Sequence, residues 1–248
     1  MNKIFFTSAL VLFSSTLLAG NSVSYTIDDQ EYEGYFNKAQ GQSKGMVVIV
    51  HDWDGLTEYE VKRTEMLSAM GYDAFAIDVY GKGNRPREVA DKKAQTKKLY
   101  TNRKKMRALV LGGLNEARKH NSKNVVVAGY CFGGAVTLEL ARSGKAGNIA
   151  GYATFHGGLA TPEGQSYIEN KSPIFIAHGG ADKSVKMSDV AALAGELESN
   201  NIPYEIEVYS GAPHAFTVFG SKRYHEVADK KSWAAFSDFL NETLSELE

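Results

Sequence analysis

The chain has 248 residues, 28 basic and 29 acidic side chains and a formal net charge of −1, which excludes the cationic excess of a general nucleic-acid binder. Its 43% hydrophobic content suits one domain with a sizeable core. A lone cysteine, Cys131, rules out an internal disulfide.

At the N-terminus, Lys3 precedes an apolar run from Ile4 to Phe13 and then Leu17-Leu18-Ala19-Gly20. A charged n-region, a short h-region and small residues predict a secretory signal peptide over 1–20, removed to leave a mature domain over 21–248. The run is too short for a comfortable membrane span, although an uncleaved anchor is the alternative. Asn21 in place of cysteine after Leu-Ala-Gly argues against a lipoprotein. The expectation is export, most simply to a bacterial periplasm, with no stable membrane association after cleavage.

Strand-like runs follow at Ser22 to Ile27 and Tyr32 to Phe36, then at 46–50, 73–77, 124–128, 150–155, 173–177 and 204–209. Helical segments alternate with the later ones. They are Glu58 to Met70, Ala135 to Arg142, the Met187/Val190/Leu193/Leu197 stripe and the Trp233/Phe236/Leu240/Leu244 stripe. This alternation predicts an α/β fold with a mostly parallel sheet covered by helices on both faces. The basic run Lys92, Lys93, Lys97, Lys98, Arg103, Lys104, Lys105 and Arg107 falls in a helical-looking stretch and reads as a solvated face. His51, His156 and His178 end strands without close ligand spacing, so neither a metal nor another cofactor is expected. Gly157-Gly158 and Gly179-Gly180 read as turns, and a polar loop within 151–171 is placed to rim a pocket.

The chemistry concentrates in three places. Gly129-Tyr130-Cys131-Phe132-Gly133-Gly134 puts the cysteine between glycines, after a β-branched run and before a helix, which is a G-x-nucleophile-x-G elbow with sulfur as nucleophile. The helix amides that follow are expected to favour thiolate. Asp182 lies in the polar loop after the strand Pro173 to Ala177. His214 lies in the loop after Tyr204 to Tyr209. Nucleophile, acid and base, each just past a strand end, give the order of a hydrolase triad. The alternative reading of Cys131 is a small apolar core residue.

These motifs resemble those of the dienelactone hydrolases, a family within the α/β-hydrolase fold. The likeness rests on Gly-Tyr-Cys-Phe-Gly-Gly at 129–134, His-Gly-Gly-Ala-Asp ending at Asp182 and Gly-Ala-Pro-His-Ala-Phe ending at Phe216. It implies a Cys131, His214, Asp182 triad, with the Phe132 amide as one oxyanion donor. The loop His51 to Gly55 after an early strand offers the Trp53 amide as the second. Where family members carry a glutamate that pairs with the resting thiol, this chain has Asp52, one carbon shorter, with Asp54 as a competitor; ordinary loop solvation and helix capping are the alternative for both. Of the family's two carboxylate-binding arginines, the one four residues past the histidine is replaced by Val218. Lys82 or Arg85 remains to meet an anion, Arg223 could swing in, and Tyr80 is a candidate to line the pocket. The implied activity is hydrolysis of a small ester, lactone or thioester through a thioester acyl-enzyme. Rival readings are a non-catalytic binding module of the same fold and a thiol redox or acyl-carrier role, for which no C-x-x-C partner exists.

Overall fold

The computed structural model describes residues 20–121 and 124–244. The segment read as a signal peptide, apart from Gly20, lies outside them. Eight strands form one sheet in the order β1-β2-β4-β3-β5-β6-β7-β8. The hairpin of β1 (Asn21–Ile27) and β2 (Gln30–Asn37) turns at Asp28 and Asp29, both with positive φ, the conformation a two-residue hairpin loop requires. β2 pairs antiparallel with β4 (Asp73–Ile77). From there β3 (Met46–Val50), β5 (Val125–Tyr130), β6 (Gly151–Phe155), β7 (Ile174–Gly179) and β8 (Tyr204–Tyr209) continue in parallel.

The strands are apolar on both faces because both are covered. Met46, Val48, Val50, Val125 and Val127 point into a core shared with α3 (Arg103–His120), α4 (Phe132–Ser143) and α5 (Met187–Ser199). Their neighbours Val47, Ile49, Val126 and Ala128 point the other way, against α1 (Glu58–Ala69) and α6 (Glu226–Leu244). The one-residue alternation therefore fills two separate cores.

Two helical stretches differ from expectation. The basic stretch resolves into α2 (Val89–Tyr100) and α3, broken at Thr101 and Asn102, where the Asn102 side chain accepts the Lys105 amide at 3.0 Å as an N-cap. α4 begins at Phe132, three residues before the predicted Ala135. Glycines at 133 and 134 lower helix propensity, but they are what the packing demands. A Cβ on Gly133 would overlap the Val50 carbonyl oxygen, and one on Gly134 the Thr154 hydroxyl.

Candidate active site

The C-terminal ends of β5, β7 and β8 lie at the same edge of the sheet, with β6 between the first two, and the three loops leaving them carry Cys131, Asp182 and His214. Cys131 sits at the turn from β5 into α4 with φ 52 and ψ −112, a left-handed conformation that is strained for a residue with a side chain. The turn is held by the Cys131 amide donating to the Phe155 carbonyl at 3.0 Å. Gly129 must lack a side chain, because a Cβ there would overlap the Gly133 carbonyl. Strand, turn and helix thus lift the sulfur above the sheet edge.

His214 Nε2 lies 3.1 Å from Cys131 Sγ, and its Nδ1 lies 2.8 Å from Asp182 Oδ2. The other Asp182 oxygen accepts the Ser184 and Val185 amides at 2.7 and 3.0 Å. Burial alone would raise the Asp182 pKa, but the hydrogen bonds from His214, Val185 and Ser184 outweigh it and hold the carboxyl below its usual range. An ionised Asp182 accepts the Nδ1 proton, which leaves Nε2 free to face the sulfur.

The thiol itself departs from expectation. Burial pushes Cys131 up to about 11; the Phe132 amide, which points at the sulfur, and the Arg223 charge pull the other way but do not prevail. At neutral pH the resting group is therefore a thiol that donates to Nε2, and helix amides alone do not make it a thiolate.

Two cavities meet at the sulfur. One, about 190 Å³, is walled by Trp53, Tyr100, Phe132 and Val185. The other, about 130 Å³, is more mixed, with Asp52, Ser184 and Arg223 beside Trp53 and Ala215. Gly158 lines the first, so the loop after β6 does reach the rim. Arg223 reaches the second cavity, while Lys82 and Arg85 reach neither. The Lys82 amine bonds Glu31 at 2.9 Å and Ser24 at 3.3 Å on the β1–β2 edge. The Arg85 guanidinium is spent on the carbonyls of Leu56, Asn84 and Gly81 and on Asp78. Neither is available to a substrate at Cys131.

The loop after β3 is also committed. Asp52 Oδ1 accepts the Asp54 amide at 3.0 Å, a turn within its own loop. Asp54 pairs with Lys92 at 3.0 Å, and the same amine lies 5.4 Å from the Trp53 ring centre. Tyr80 backs this loop, its hydroxyl donating to the Trp53 carbonyl at 3.2 Å and its ring packed on His51 and Phe132. His51 accepts the Val79 amide at Nε2 and so carries its proton on Nδ1, which donates to the Asp52 carbonyl. Burial pushes its pKa down to about 4, and it stays neutral.

The sequence pattern of the dienelactone hydrolase family matches residues 32–244. The chain belongs to the dienelactone hydrolase family. It is 27% identical over 237 residues to protein Usf of Aquifex pyrophilus, covering 91% of this chain and 100% of that one. Among solved structures it is similar to a dienelactone hydrolase-like promiscuous phosphotriesterase, P91, from metagenomic libraries, at 25% identity and a TM-score of 0.82, with 90% and 98% of the two chains covered. A structure named m3DLH overlays equally, at 26% identity, a TM-score of 0.82 and the same coverage. The chain is thus a hydrolase of this family with the α/β-hydrolase fold.

In this dienelactone hydrolase family member, a buried network that sequence reading missed stands behind His214. The His156 ring meets the His214 ring edge-on at 5.5 Å, and its Nε2 lies 2.7 Å from the Thr217 hydroxyl. That hydroxyl is 2.6 Å from the Tyr59 hydroxyl. Arg63 donates to the Tyr59 oxygen and the Thr217 carbonyl, and is paired with Asp229. Arg63 is buried, with its guanidinium over the rings of Tyr59, Phe219 and Trp233. The only hint in sequence was a basic residue at an inward position of α1.

Proposed function

We propose that the chain hydrolyses small carboxylic esters, lactones or thioesters through Cys131 as nucleophile, His214 as base and Asp182 as the group that orients it. The observation that carries this reading is the continuous line from Sγ through Nε2 and Nδ1 to the Asp182 carboxylate, at 3.1 and 2.8 Å. As the sulfur attacks the carbonyl carbon, His214 takes the thiol proton, and Asp182 stabilises the imidazolium that forms. This proton transfer accompanies the attack because the resting thiol, raised to about 11, is otherwise un-ionised at neutral pH. The carbonyl oxygen becomes an oxyanion facing the Phe132 and Trp53 amides, each a donor of a kind worth about 3 kcal/mol. Collapse expels the alcohol or thiol, which receives the proton from His214. A water deprotonated by His214 then attacks the thioester, releasing the carboxylic acid and restoring the thiol.

The two cavities limit the substrate to a small molecule with an apolar group on the Trp53 and Tyr100 side. Hydrolysis of p-nitrophenyl acetate by the protein is compared with that by Cys131→Ala and His214→Ala variants of verified fold. Loss of turnover in both supports the triad. Full activity in either rejects it.

A further inference from the structure

The basic run on α2 and α3 divides into groups with different employment. Lys92 is held by Asp54, and Arg103 and Arg107 both pair with the buried Glu139 carboxylate at 3.3 and 2.7 Å. Lys98 and Lys105 have no carboxylate partner among the described residues. Instead both edge a cleft of about 450 Å³, larger than either cavity at Cys131. This cleft lies between the β1–β2 hairpin, the loop after β4, α2 and α3.

Its floor is apolar and partly aromatic, formed by Tyr32, Val79, Leu99 and Leu109, all buried. Its polar wall includes Asn84 and Gln95, whose side-chain amides bond each other at 3.3 Å and are thereby held in place. No acidic side chain lines it. Two lysines lining an apolar, partly aromatic floor, with paired side-chain amides beside them, suit one class of ligand: a small organic anion with a planar apolar body. A bare inorganic ion would leave the floor wet, and a neutral ring would leave the charges unanswered.

α2 is the wall between this cleft and the catalytic pocket. Thr96 and Tyr100, four residues apart, line the pocket at Cys131, whereas Gln95, Lys98 and Leu99 line the cleft, so two adjoining flanks of the same helix serve the two cavities. Tyr80 closes the boundary on the other side. It belongs to the lining of the cleft, while its hydroxyl holds the Trp53 carbonyl.

We infer that this cleft is a second ligand site, distinct from the catalytic pocket, for a small aromatic carboxylate or an anion of the same shape. The inference does not depend on the hydrolytic reading, since it concerns binding on the far side of α2. The test uses 1-naphthoate as probe, followed by calorimetric titration of the full chain. Binding in the millimolar range or tighter is expected for the parent protein, unchanged in Trp53→Ala, a residue that lines the catalytic pocket and not the cleft. A Lys98→Glu, Lys105→Glu double variant should bind about tenfold or more weakly, as loss and reversal of two partly exposed charges allow. The neutral analogue 1-naphthalenemethanol should bind about tenfold more weakly to the parent. The charge-reversal sites are on the surface, and circular dichroism verifies their fold. Undetectable 1-naphthoate binding, binding that survives the double variant, or binding abolished by Trp53→Ala each overturns the proposal.

Discussion

Nε2 of His156 lies 2.7 Å from the Thr217 hydroxyl, three residues along the chain from His214. Burial drives the His156 pKa well below its ordinary value, with the neighbouring His214 adding to the effect, so His156 is neutral and can accept a proton at one nitrogen. Arg63 can only donate, which leaves the Tyr59 proton for Thr217 and the Thr217 proton for His156. A Thr217→Val change keeps the shape but strands two buried polar groups, at a cost of about 1–3 kcal/mol. The expected result is a lower melting temperature together with reduced kcat and a nearly constant KM. Thr217→Ser, which retains the hydroxyl, should restore kcat. Equal loss in both variants would show that the methyl packing matters and the hydroxyl does not.

Tyr80 makes a similar prediction for the oxyanion loop. Its hydroxyl supports the Trp53 carbonyl at 3.2 Å, so Tyr80→Phe removes one hydrogen bond and no packing. A net loss of about 1 kcal/mol corresponds to roughly fivefold in rate. That loss should fall on kcat, because the role proposed for the Trp53 amide is to meet charge that develops only in the transition state. A change confined to KM would contradict the assignment of this loop to the oxyanion.

The state of the thiol is directly measurable. With Cys131 pushed up to about 11 by burial, little thiolate exists at pH 7, and alkylation by iodoacetamide should be slow there. Its rate should climb about tenfold per pH unit between pH 7 and 10, in parallel with loss of ester hydrolysis. A plateau already reached by pH 7 would instead indicate a preformed thiolate and imidazolium pair.

The strands were legible because a parallel sheet covered on both faces requires uninterrupted apolar runs, and Met46 to Val50 or Ile174 to Ala177 have no other use. The convergence of Cys131, Asp182 and His214 was legible for the same reason, since each follows such a run within a few residues and the strand ends bring them together. Side chains on loops were not. Lys82 and Arg85 stand where an anion site was expected, but nothing local tells that Glu31 and the Leu56 carbonyl will claim them. Tyr59 and Thr217 are 158 positions apart, and no periodicity joins α1 to the loop after β8. The start of α4 was misplaced because propensity disfavours the glycines that close packing on Val50 and Thr154 requires.

Glu60 offers a test through pH. Its carboxylate caps α1, accepting the Thr57 amide and hydroxyl at 2.7 and 2.9 Å and the Asp52 amide at 3.4 Å. Burial outweighs these bonds and pushes its pKa from 4.5 up to about 7. A folded-state value above the unfolded one means that the folded chain binds the extra proton. The associated stability is present below about pH 4.5 and is lost as pH rises to about 7, a change on the order of 2–3 kcal/mol. His51, pushed down to about 4, and His156 act in the opposite sense below their ordinary range, losing stability as pH falls. The useful quantity is therefore the melting temperature of the parent minus that of Glu60→Gln, which isolates the one carboxyl. That difference should decrease by several degrees between pH 5 and pH 8, and a difference independent of pH would mean that Glu60 titrates as an ordinary carboxylate despite its burial.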